Sequence, residues 1–527
     1  MPIQYMNIIS HKITQLIHLV KLHSVLLLLF LALIMILSIR GIPGNPTQDE
    51  LNFAEWRDDG PFELSAERGK YALIYSWIEN KTSSFSLPLA YFVLPDLAYG
   101  NGKYVSLFPP GVSFISIPGY LIGREFQHAQ LGSFATVAVF AIVNFFLIKS
   151  ISTRSSASES AGIIAGFIFL FATPAFAYSV TLYQHHISTF LILFSIYLLQ
   201  RWNNFWSLTA VWFMVAVSVT VDSPNFFMML PIGIYGLGRI IKIKNSENRI
   251  KVSLKMYKVL TFLAVIVPFA LFMWFNQASN GSPFQLSGTL SRVEIIDDFG
   301  KPVSNLDDNA NSADENKNVV NLFNTRFMIN GVYIHLFSLD RGMIVYTPVM
   351  FFSFFALYVA YRKKIAMFAL LASIMAMNMI IYSMWGDPNA GWAFGTRYLI
   401  PTYSIMAIFI SILLTYYKKN TLLLTLFGII AVYSILVNSL GAITSNKNPP
   451  KKEIAGIEKM SKKKEHYTYE RNIGYLNSGI VKSYVYKTYA YRIFTPWQYY
   501  LSIATTLSLF FIFNLLHLRK LNTKYEK

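Results

Sequence analysis

Long apolar runs alternate with short polar segments along most of this chain. A helix needs about 20 apolar residues to cross a hydrocarbon core about 30 Å thick, and most of the runs approach that length. The runs cover residues 25–39, 131–149, 161–181, 186–201, 205–221, 225–240, 257–275, 343–361, 365–383, 398–416, 420–440 and 498–516. This pattern predicts an all-α polytopic membrane protein with about 12 transmembrane helices.

One further apolar stretch, Leu107 to Gly123, differs from the others because it contains Pro109, Pro110 and Pro118. Proline removes a backbone donor, and lipid offers no substitute for the hydrogen bond that is lost. We therefore expect this stretch to be an interfacial or re-entrant segment that does not cross the membrane.

The basic residues between the runs give the orientation. If the N-terminus is inside and 107–123 does not cross, every short basic cluster falls on the cytoplasmic side, as the positive-inside rule expects. These clusters are Lys12 with Lys21, Lys149 with Arg154, Arg201, the run from Arg239 to Lys258, Arg362 to Lys364, Lys418 with Lys419, and Arg519 with Lys520. If that stretch crossed, the middle clusters would lie outside. We therefore expect a multi-pass protein of the plasma membrane whose chemistry takes place on the outer face. That face comprises segments 40–130, 276–342, 384–397 and 443–497 and the short loops 182–185 and 222–224.

Composition supports the bilayer as the solvent of this protein. Of 527 residues, 54% are hydrophobic and only 14% charged, which is too apolar for a soluble protein of this size. The net charge of +18 is divided among short clusters, which is typical of membrane orientation rather than of nucleic-acid binding. The chain has no cysteine, which excludes disulfides, thiolate metal sites and a cysteine nucleophile.

The chain divides into three parts. Residues 1–440 form a transmembrane module, residues 441–497 a basic, tyrosine-rich outer segment, and residues 498–527 a last helix with its tail. The first run, Val25 to Ile39, is short enough to be the core of a signal peptide. The sequence that follows it, Arg40-Gly41-Ile42-Pro43, makes a poor cleavage site, so we expect a retained helix.

The first outer loop begins with an acidic pair, Asp49-Glu50, shortly after the first span. One interpretation is structural, with Thr47 or Asp49 capping a short helix. The other is catalytic: a carboxylate at the boundary of water and lipid has a raised pKa and accepts a proton from a hydroxyl group. Further acids in the same loop leave the choice of base open; they are Asp58, Asp59, Glu63 and Glu67.

Two polar groups interrupt the middle runs. His185 and His186 stand at the outer end of a run, where an interfacial role and metal binding with Asp49 or Glu50 are both open; zinc or manganese suits such ligands. Asp222 stands two residues before Pro224, which is a helix-start signal, but an acid at membrane depth is also a candidate functional residue.

Three cations are candidates for binding phosphate. Arg397 stands where a late helix enters the bilayer, either as an interfacial anchor or as a phosphate clamp. Arg341 precedes another span, and Lys103 follows a turn in the first outer loop. Trp385 and Trp392 flank Arg397 at a distance suited to interface anchoring or sugar stacking.

The order of several motifs resembles a known family. The acidic pair is followed by YGNGKYVSLFPPGVSFISIPGY (99–120), the Asp-x-Pro turn at 222–224, FNQASNGSPF (275–284), LDRGMIVYTPV (339–349) and GWAFGTRYLIP (391–401). Over most of residues 25–440 the chain resembles the multi-span GT-C glycosyltransferases of bacteria and archaea, which are kin to protein O-mannosyltransferases and aminoarabinose transferases.

The resemblance implies a membrane glycosyltransferase that moves a sugar from a polyprenyl-phosphate carrier to an extracytoplasmic protein, lipid or glycan. It places the proposed base at Asp49, with Glu50 as the second member of the pair, and gives the carrier phosphate to Arg397 or Arg341, with Lys103 as a further candidate. The family contains both metal-dependent and metal-free members, so a divalent metal remains open. The alternative is a transporter or a flippase of lipid-linked glycans, without transferase chemistry.

Overall fold

The structure is a computed structural model that describes residues 24–246, 249–303 and 323–520, with the backbone alone for 242–252. The polar segment Leu306 to Asn318, the tail beyond Lys520, Lys12 and Lys21 lie outside the described residues. The fold is mostly helical, at 68%.

The helices follow the predicted runs closely. In chain order they are α1 (Ser24–Ser38), α2 (Ser65–Ile78), α3 (Leu87–Val93), α4 (Gly111–Glu125), α5 (Ala129–Arg154), α6 (Glu159–Phe171), α7 (Ala175–Ser179), α8 (His185–Arg201), α9 (Phe205–Val221), α10 (Asn225–Ile240), α11 (Met256–Val259), α12 (Ile266–Asn280), α13 (Met328–Phe337), α14 (Met343–Tyr346), α15 (Phe352–Arg362), α16 (Phe368–Ser383), α17 (Ile400–Tyr416), α18 (Thr421–Ile443), α19 (Lys451–Ser461), α20 (Glu470–Asn477), α21 (Tyr484–Thr488) and α22 (Pro496–Lys520). All the predicted runs coincide with helical structure.

Membrane crossing is supported by length and composition for part of this set. Among the described residues, 5 helical segments are long and apolar enough to cross a bilayer. They are Ala129–Arg154, Met256–Asn280, Arg397–Tyr416, Thr421–Ile443 and Pro496–Lys520. Five shorter apolar helices accompany them, α1, α6, α9, α16 and the segment Pro348–Arg362. The protein is therefore a polytopic membrane protein, and the number of about 12 crossings stays a prediction.

Helix α17 is the centre of the fold. All its residues from Ile400 to Thr415 are buried, and it contacts α5, α6, α8, α15 and α16. A helix that is apolar on every side can be buried on every side, which is what the sequence of this segment allows.

Two of the predicted runs are interrupted, and the interruptions touch. The chain breaks between α6 and α7 at Thr173-Pro174, and between α14 and α15 at Thr347-Pro348, because proline offers no N–H to the preceding turn. The Thr347 hydroxyl donates to the Ala172 carbonyl at 2.8 Å. This contact supplies a donor to a carbonyl that the broken helix leaves free.

Two small sheets correct the all-α prediction. Strand β1 (Leu97–Gly100) pairs antiparallel with β2 (Lys103–Ser106) and with β5 (Ser291–Val293), so that Leu97 lies opposite both Ser106 and Val293. A second hairpin joins β3 (Ile241–Ser246) to β4 (Arg249–Leu254). This hairpin lies in the basic run from Arg239 to Lys258. Its sequences IKIK (241–244) and RIKV (249–252) alternate with the period of a strand, and this signal was left out of the sequence-based prediction.

Helix α4 covers most of the proline-containing stretch, and both its ends meet the first outer loop. Near its start the Ser113 hydroxyl donates to the Lys70 carbonyl at 2.9 Å. At its end the Asn45 amide donates to the Arg124 carbonyl at 2.8 Å. These two contacts join both ends of α4 to other parts of segment 40–130, and the expectation that α4 does not cross the membrane stays a prediction.

The predicted outer segments gather on one face. Asp96 of the first loop pairs with Arg292 at 2.8 Å, and Asp58 pairs with Lys447 of the late basic segment at 3.2 Å. The Arg341 guanidinium donates to the Asn448 carbonyl at 2.9 Å. Residues that are hundreds of positions apart therefore build one surface.

A buried ionic network fastens this surface. The Glu63 carboxylate lies 2.8 Å from Arg40 at the end of the first span and 3.3 Å from Lys482 near the end of the chain. The Ser445 hydroxyl donates to both oxygens of Glu63, at 2.8 and 3.0 Å. The Arg40 guanidinium also donates to Asn446 and to the Gly441 carbonyl at the end of α18.

We expect Glu63→Gln to lower the free energy of unfolding by about 3–5 kcal/mol, because it leaves two buried cations without their carboxylate. The change should appear as a clear fall in the thermal unfolding temperature of the detergent-solubilised protein. The matched control is Glu79→Gln, whose partner Arg124 lies at 3.0 Å in a pair with side chains 40% and 30% exposed. That variant should lose about 1 kcal/mol or less. Equal losses in the two variants would contradict the structural role of Glu63.

Candidate active site

A cavity of about 960 Å³ opens among the outer segments. Its walls come from the first outer loop, the start of α4, the helix ends near 183 and 222, the segment after α12, and the turn before α17. The lining side chains that carry charge are Arg57, Asp58, Glu63, Arg68, Asp96, Asp222, Arg292, Glu294, Asp387, Arg397 and Lys447. The cavity therefore holds both an apolar lining and a set of ionisable groups.

Two of the five cations in this wall are paired with carboxylates, and a third donates to a backbone carbonyl. Arg292 pairs with Asp96 at 2.8 Å, and Lys447 pairs with Asp58 at 3.2 Å. Arg68 donates to the Leu94 carbonyl at 2.7 Å. These contacts hold the walls of the cavity together.

Arg397, like Arg57 and Arg68, has no carboxylate partner among the described residues, and it is the one of the three that lies over the tyrosine rings of the cavity wall. Its guanidinium donates to the Tyr183 hydroxyl at 3.1 Å and to the Ala390 carbonyl at 2.9 Å. Within the described residues no carboxylate lies within 4.0 Å of it, and its buried Nε has no acceptor. An arginine that lines a cavity without a counter-ion offers a site for an anion.

Asp222 lies in the same cavity, between α9 and α10. Its Oδ2 accepts from the Tyr382 hydroxyl at 3.2 Å and from the Gln184 amide at 3.4 Å. Burial raises the pKa of this carboxyl above its usual value, while the charge of Lys70 and the two hydrogen bonds oppose the rise. No protein donor to Oδ1 is found in the described part of the chain, so this oxygen can serve a ligand.

Two tyrosines connect Asp222 and Arg397. The guanidinium of Arg397 lies 5.7 Å from the centre of the Tyr398 ring. The Tyr398 ring stacks on Tyr382 with centroids 4.4 Å apart and planes 13° apart, and Tyr382 bonds to Asp222. A carboxylate and an unpaired guanidinium thus stand at the two ends of one aromatic wall.

Asp49 and Glu50 are exposed and do not line this cavity. The Glu50 carboxylate accepts from the backbone N–H and the hydroxyl of Thr47, at 2.7 and 3.0 Å, and the backbone N–H of Glu50 donates to that hydroxyl. This reciprocal pair is a capping box, and the bond from the Thr47 backbone lowers the pKa of Glu50. The structural interpretation of the pair therefore fits the geometry. The catalytic role stays a prediction, without support from the cavity.

Arg341 and Lys103 also lie outside the cavity lining. Arg341 is buried and donates to four backbone carbonyls, those of Asn389, Asp340, Gly391 and Asn448. It holds the turn before α17 against the late basic segment. Lys103 is exposed at the tip of the β1–β2 hairpin. The phosphate role predicted for these two residues gains no support from their positions.

The histidine pair is buried at the start of α8. His186 is 2.7 Å from the Ala175 carbonyl through Nε2, and it is buried in the core, whereas the sequence suggested an interfacial histidine. The His185 ring lies parallel to Tyr183 with centroids 5.7 Å apart. Across residues 24–246, 249–303 and 323–520, no group of three or more His, Cys, Asp or Glu side chains could hold a metal ion. The possible metal stays a prediction, with no donor set to locate it.

Sequence reasoning missed the buried charges of α2. Glu67 and Lys70 are both buried, and Glu67 accepts from the Asn446 amide at 3.3 Å. The Lys70 ammonium lies 4.3 Å from the centre of the Phe108 ring and 5.4 Å from that of Tyr183, directly behind the cavity wall. The available signal was the spacing of these two charges: residues three apart share one face of a helix.

No protein-family model and no curated protein sequence matches this chain. Three solved structures are similar. ArnT from Cupriavidus metallidurans in the apo state is 11% identical, with a TM-score of 0.44, over 95% of this chain and 78% of that chain. The same protein bound to undecaprenyl phosphate is 12% identical, with a TM-score of 0.45, over 94% and 77%. The oligosaccharyltransferase AglB from Archaeoglobus fulgidus, in complex with an inhibitory peptide and a dolichol-phosphate, is 13% identical, with a TM-score of 0.45, over 86% and 59%.

ArnT is an aminoarabinose transferase, and both neighbours are GT-C glycosyltransferases. The predicted resemblance is confirmed in this respect. At TM-scores below 0.5 the likeness carries no argument about the reaction, which has to come from the cavity.

The buried carboxyl of α2 gives a prediction about pH. Burial raises the pKa of Glu67 to about 7, whereas the unfolded chain ionises it near 4.5. Between these values the folded protein binds the extra proton, so its free energy of unfolding falls as the pH rises, by up to about 3 kcal/mol. Glu67→Gln keeps this position neutral and should remove that fall. The check is the thermal unfolding temperature of the two proteins from pH 5 to 8; parallel curves would contradict the raised pKa.

Proposed function

We propose that this protein is a membrane glycosyltransferase that moves a hexose or pentose from a polyprenyl-phosphate carrier to an extracytoplasmic acceptor. The observation that carries the proposal is the pair formed by Arg397 and Asp222: an unpaired guanidinium and a half-buried carboxylate in one cavity, joined by the Tyr398–Tyr382 stack. Together these groups offer what the reaction needs, a cation for the leaving phosphate and an acceptor for the proton.

Arg397 would bind the phosphate of the donor. Its planar fork suits a phosphate oxygen pair, and the absence of a carboxylate partner among the described residues leaves its charge available. An interfacial anchor would instead direct its charge to water, whereas this guanidinium lies over the rings of Tyr183 and Tyr398.

Asp222 would be the general base. Its raised pKa brings it toward the range in which a carboxylate accepts a proton effectively near neutral pH. The acceptor hydroxyl gives its proton to Oδ1, its oxygen forms a bond to the anomeric carbon, and the bond from that carbon to the phosphate oxygen breaks. The displacement inverts the anomeric carbon, and the polyprenyl phosphate leaves with its charge held by Arg397.

The carrier tail would leave the cavity on its apolar side. Leu107, Phe108 and Pro109 line the cavity at the start of α4, and Phe272 of α12 and Leu290 line it nearby. In the most apolar stretch of segment Met256–Asn280 only 22% of the residues are buried inside the protein, so this segment presents apolar surface to lipid beside this edge. Undecaprenyl phosphate and dolichol-phosphate are carriers of the proposed class.

The proposal includes the orientation. We infer about 12 crossings, a location in the plasma membrane, and an outer face that carries the cavity. The rival proposal, a transporter or flippase, would require charged features near the bilayer midplane and two related halves. The charged cavity instead adjoins loops and helix ends on one face, which favours the enzyme.

Asp222→Asn should lower the turnover number by a hundredfold or more, because general-base catalysis supplies about 10² to 10⁴ in rate. The matched control is Asp49→Asn, which should keep near wild-type activity. The assay is transfer of radiolabelled sugar from polyprenyl-phosphate donors to cell-envelope extract. In the wild type the rate should fall as the pH drops through the raised pKa of Asp222, above the usual range of an aspartate. If Asp49→Asn abolished transfer and Asp222→Asn did not, the base would be in the first loop.

Arg397→Gln should weaken the binding of a polyprenyl phosphate by about tenfold or more, since a charge-assisted hydrogen bond is lost together with a guanidinium that has no carboxylate partner among the described residues. Arg292→Gln is the matched control, because Arg292 lines the same cavity but is paired with Asp96. It should change the affinity less than threefold. Titration of the purified protein with a short-chain polyprenyl phosphate measures both constants, and equal effects would remove Arg397 from the phosphate site.

A further inference from the structure

The late basic segment, residues 441–497, carries an excess of positive charge. Between Lys447 and Arg492 there are 11 Lys or Arg residues and only 4 Glu residues. Seven of the cations belong to α19 and its flanks, which we call the basic rim: Lys447, Lys451, Lys452, Lys459, Lys462, Lys463 and Lys464. An outer segment gains no orientation benefit from such charge, since the positive-inside rule concerns the cytoplasmic side.

The acids of α19 do not neutralise the rim, because they are used inside the protein. Glu453 accepts from the indole N–H of Trp392 at 2.7 Å. Glu458 accepts from the backbone N–H of Glu465 at 3.0 Å. Lys459 and the run Lys462 to Lys464 are exposed, and within the described residues no carboxylate pairs with them.

The basic rim continues into the candidate active site. Lys447 lines the cavity and reaches Asp58 at 3.2 Å, while Lys452 reaches Asp387, another lining residue, at 3.3 Å. From Lys451 to Ser461 the helix is about 16 Å long at 1.5 Å per residue. The rim is therefore a series of cations that begins with unpaired lysines at an exposed edge and reaches the mouth of the cavity, where Lys447 and Lys452 are paired with lining carboxylates.

The shape of α19 argues against insertion into a membrane. Ile454 and Ile457 are half-buried against the protein, and on the open side Met460 is the one large apolar side chain that is exposed in this helix. A helix that binds a lipid surface needs a broad apolar face toward the acyl chains. The exposed face of α19 is mainly charged, and Met460 is too small an apolar surface to serve this purpose.

We propose that the acceptor of the transfer reaction is an anionic glycan, a polymer whose carboxylate or phosphate groups repeat along a sugar chain, and that the basic rim guides it to the cavity. This proposal rests on the proposed function, because a sugar chain supplies the hydroxyl that the reaction consumes. Charges of one sign beside a cleft raise the local concentration of an oppositely charged partner, and salt weakens the effect. The tyrosines interleaved with the lysines add ring faces for sugar; Tyr467 lies under Lys451, whose ammonium is 5.9 Å from the ring centre.

The test uses the full chain in nanodiscs of neutral phosphatidylcholine and two triple variants. One variant, K462Q/K463Q/K464Q, neutralises the end of the rim; the control, R362Q/K363Q/K364Q, neutralises an exposed basic triplet at the other end of the bundle, after α15. The probe is a fluorescent oligogalacturonate, with a neutral dextran of equal length and vesicles containing phosphatidylglycerol as comparisons. Binding is measured by anisotropy at 50 and 300 mM salt.

We expect the wild type and the control to bind oligogalacturonate, and to lose it at high salt, while the rim variant binds about tenfold or more weakly at low salt. In the transfer assay the rim variant should raise the KM for an anionic acceptor and leave kcat nearly unchanged. Equal binding by all three proteins, or equal losses in both variants, would overturn the proposal. Binding to the vesicles but not to oligogalacturonate would overturn it in favour of a lipid surface.

The two proposals fail separately. Asp222→Asn should abolish transfer and leave oligogalacturonate binding intact, because Asp222 lies away from the rim. If the probe binds through the rim but no sugar is transferred to any acceptor, the transferase proposal fails and the anion-binding surface stands. If transfer occurs equally well to neutral and anionic acceptors in the wild type and in the rim variant, the acceptor proposal fails alone.

Discussion

A buried carboxylate governs the architecture of the outer face. Glu63 lies between Arg40, at the end of the first span, and Lys482, in the last outer segment. A charge in such a position is stable only with its partners in place, and removing one partner is strongly unfavourable. The beginning, the first loop and the end of the chain are therefore held against one another. The cavity is the space that this arrangement leaves, bounded by the first loop on one side and by the turn before α17 on the other.

The contrast between paired and unpaired charges separates the scaffold from the candidate chemistry. Arg341 donates to four backbone carbonyls, and Arg292 is matched by Asp96, so both stabilise walls. Arg397 has no carboxylate partner among the described residues, and Asp222 keeps an oxygen free for a ligand. Groups that are buried, charged and incompletely satisfied are unfavourable for stability, and they concentrate at functional sites. On this argument we propose Arg397 and Asp222 as the residues that the fold maintains for a substrate.

The sequence predicted the helices well and the site in part. Hydrophobic runs and prolines give helix positions directly, as at Val221 and Asn225, where α9 ends and α10 begins on either side of the Asp222 turn. Arg397 and Asp222 could be nominated because a charge at a span end is conspicuous. The contacts of Glu50 could not be ranked in advance, since a capping box and a catalytic pair look alike in the sequence. The burial of Glu67 and Lys70 was missed because it depends on packing against Phe108 and on the distant Asn446; their spacing places them on one helix face but does not show that this face is buried.

The most direct measurement is a structure of the protein in a nanodisc with a polyprenyl phosphate bound. The account predicts density for the phosphate within about 3 Å of the guanidinium nitrogens of Arg397, with the prenyl chain leaving past Leu107 and Phe272. Asp222 should face the open side of that phosphate, with room for a sugar between them. A phosphate bound outside this cavity, or bound beside Asp49 and Glu50 on the exposed part of the first loop, would contradict the account.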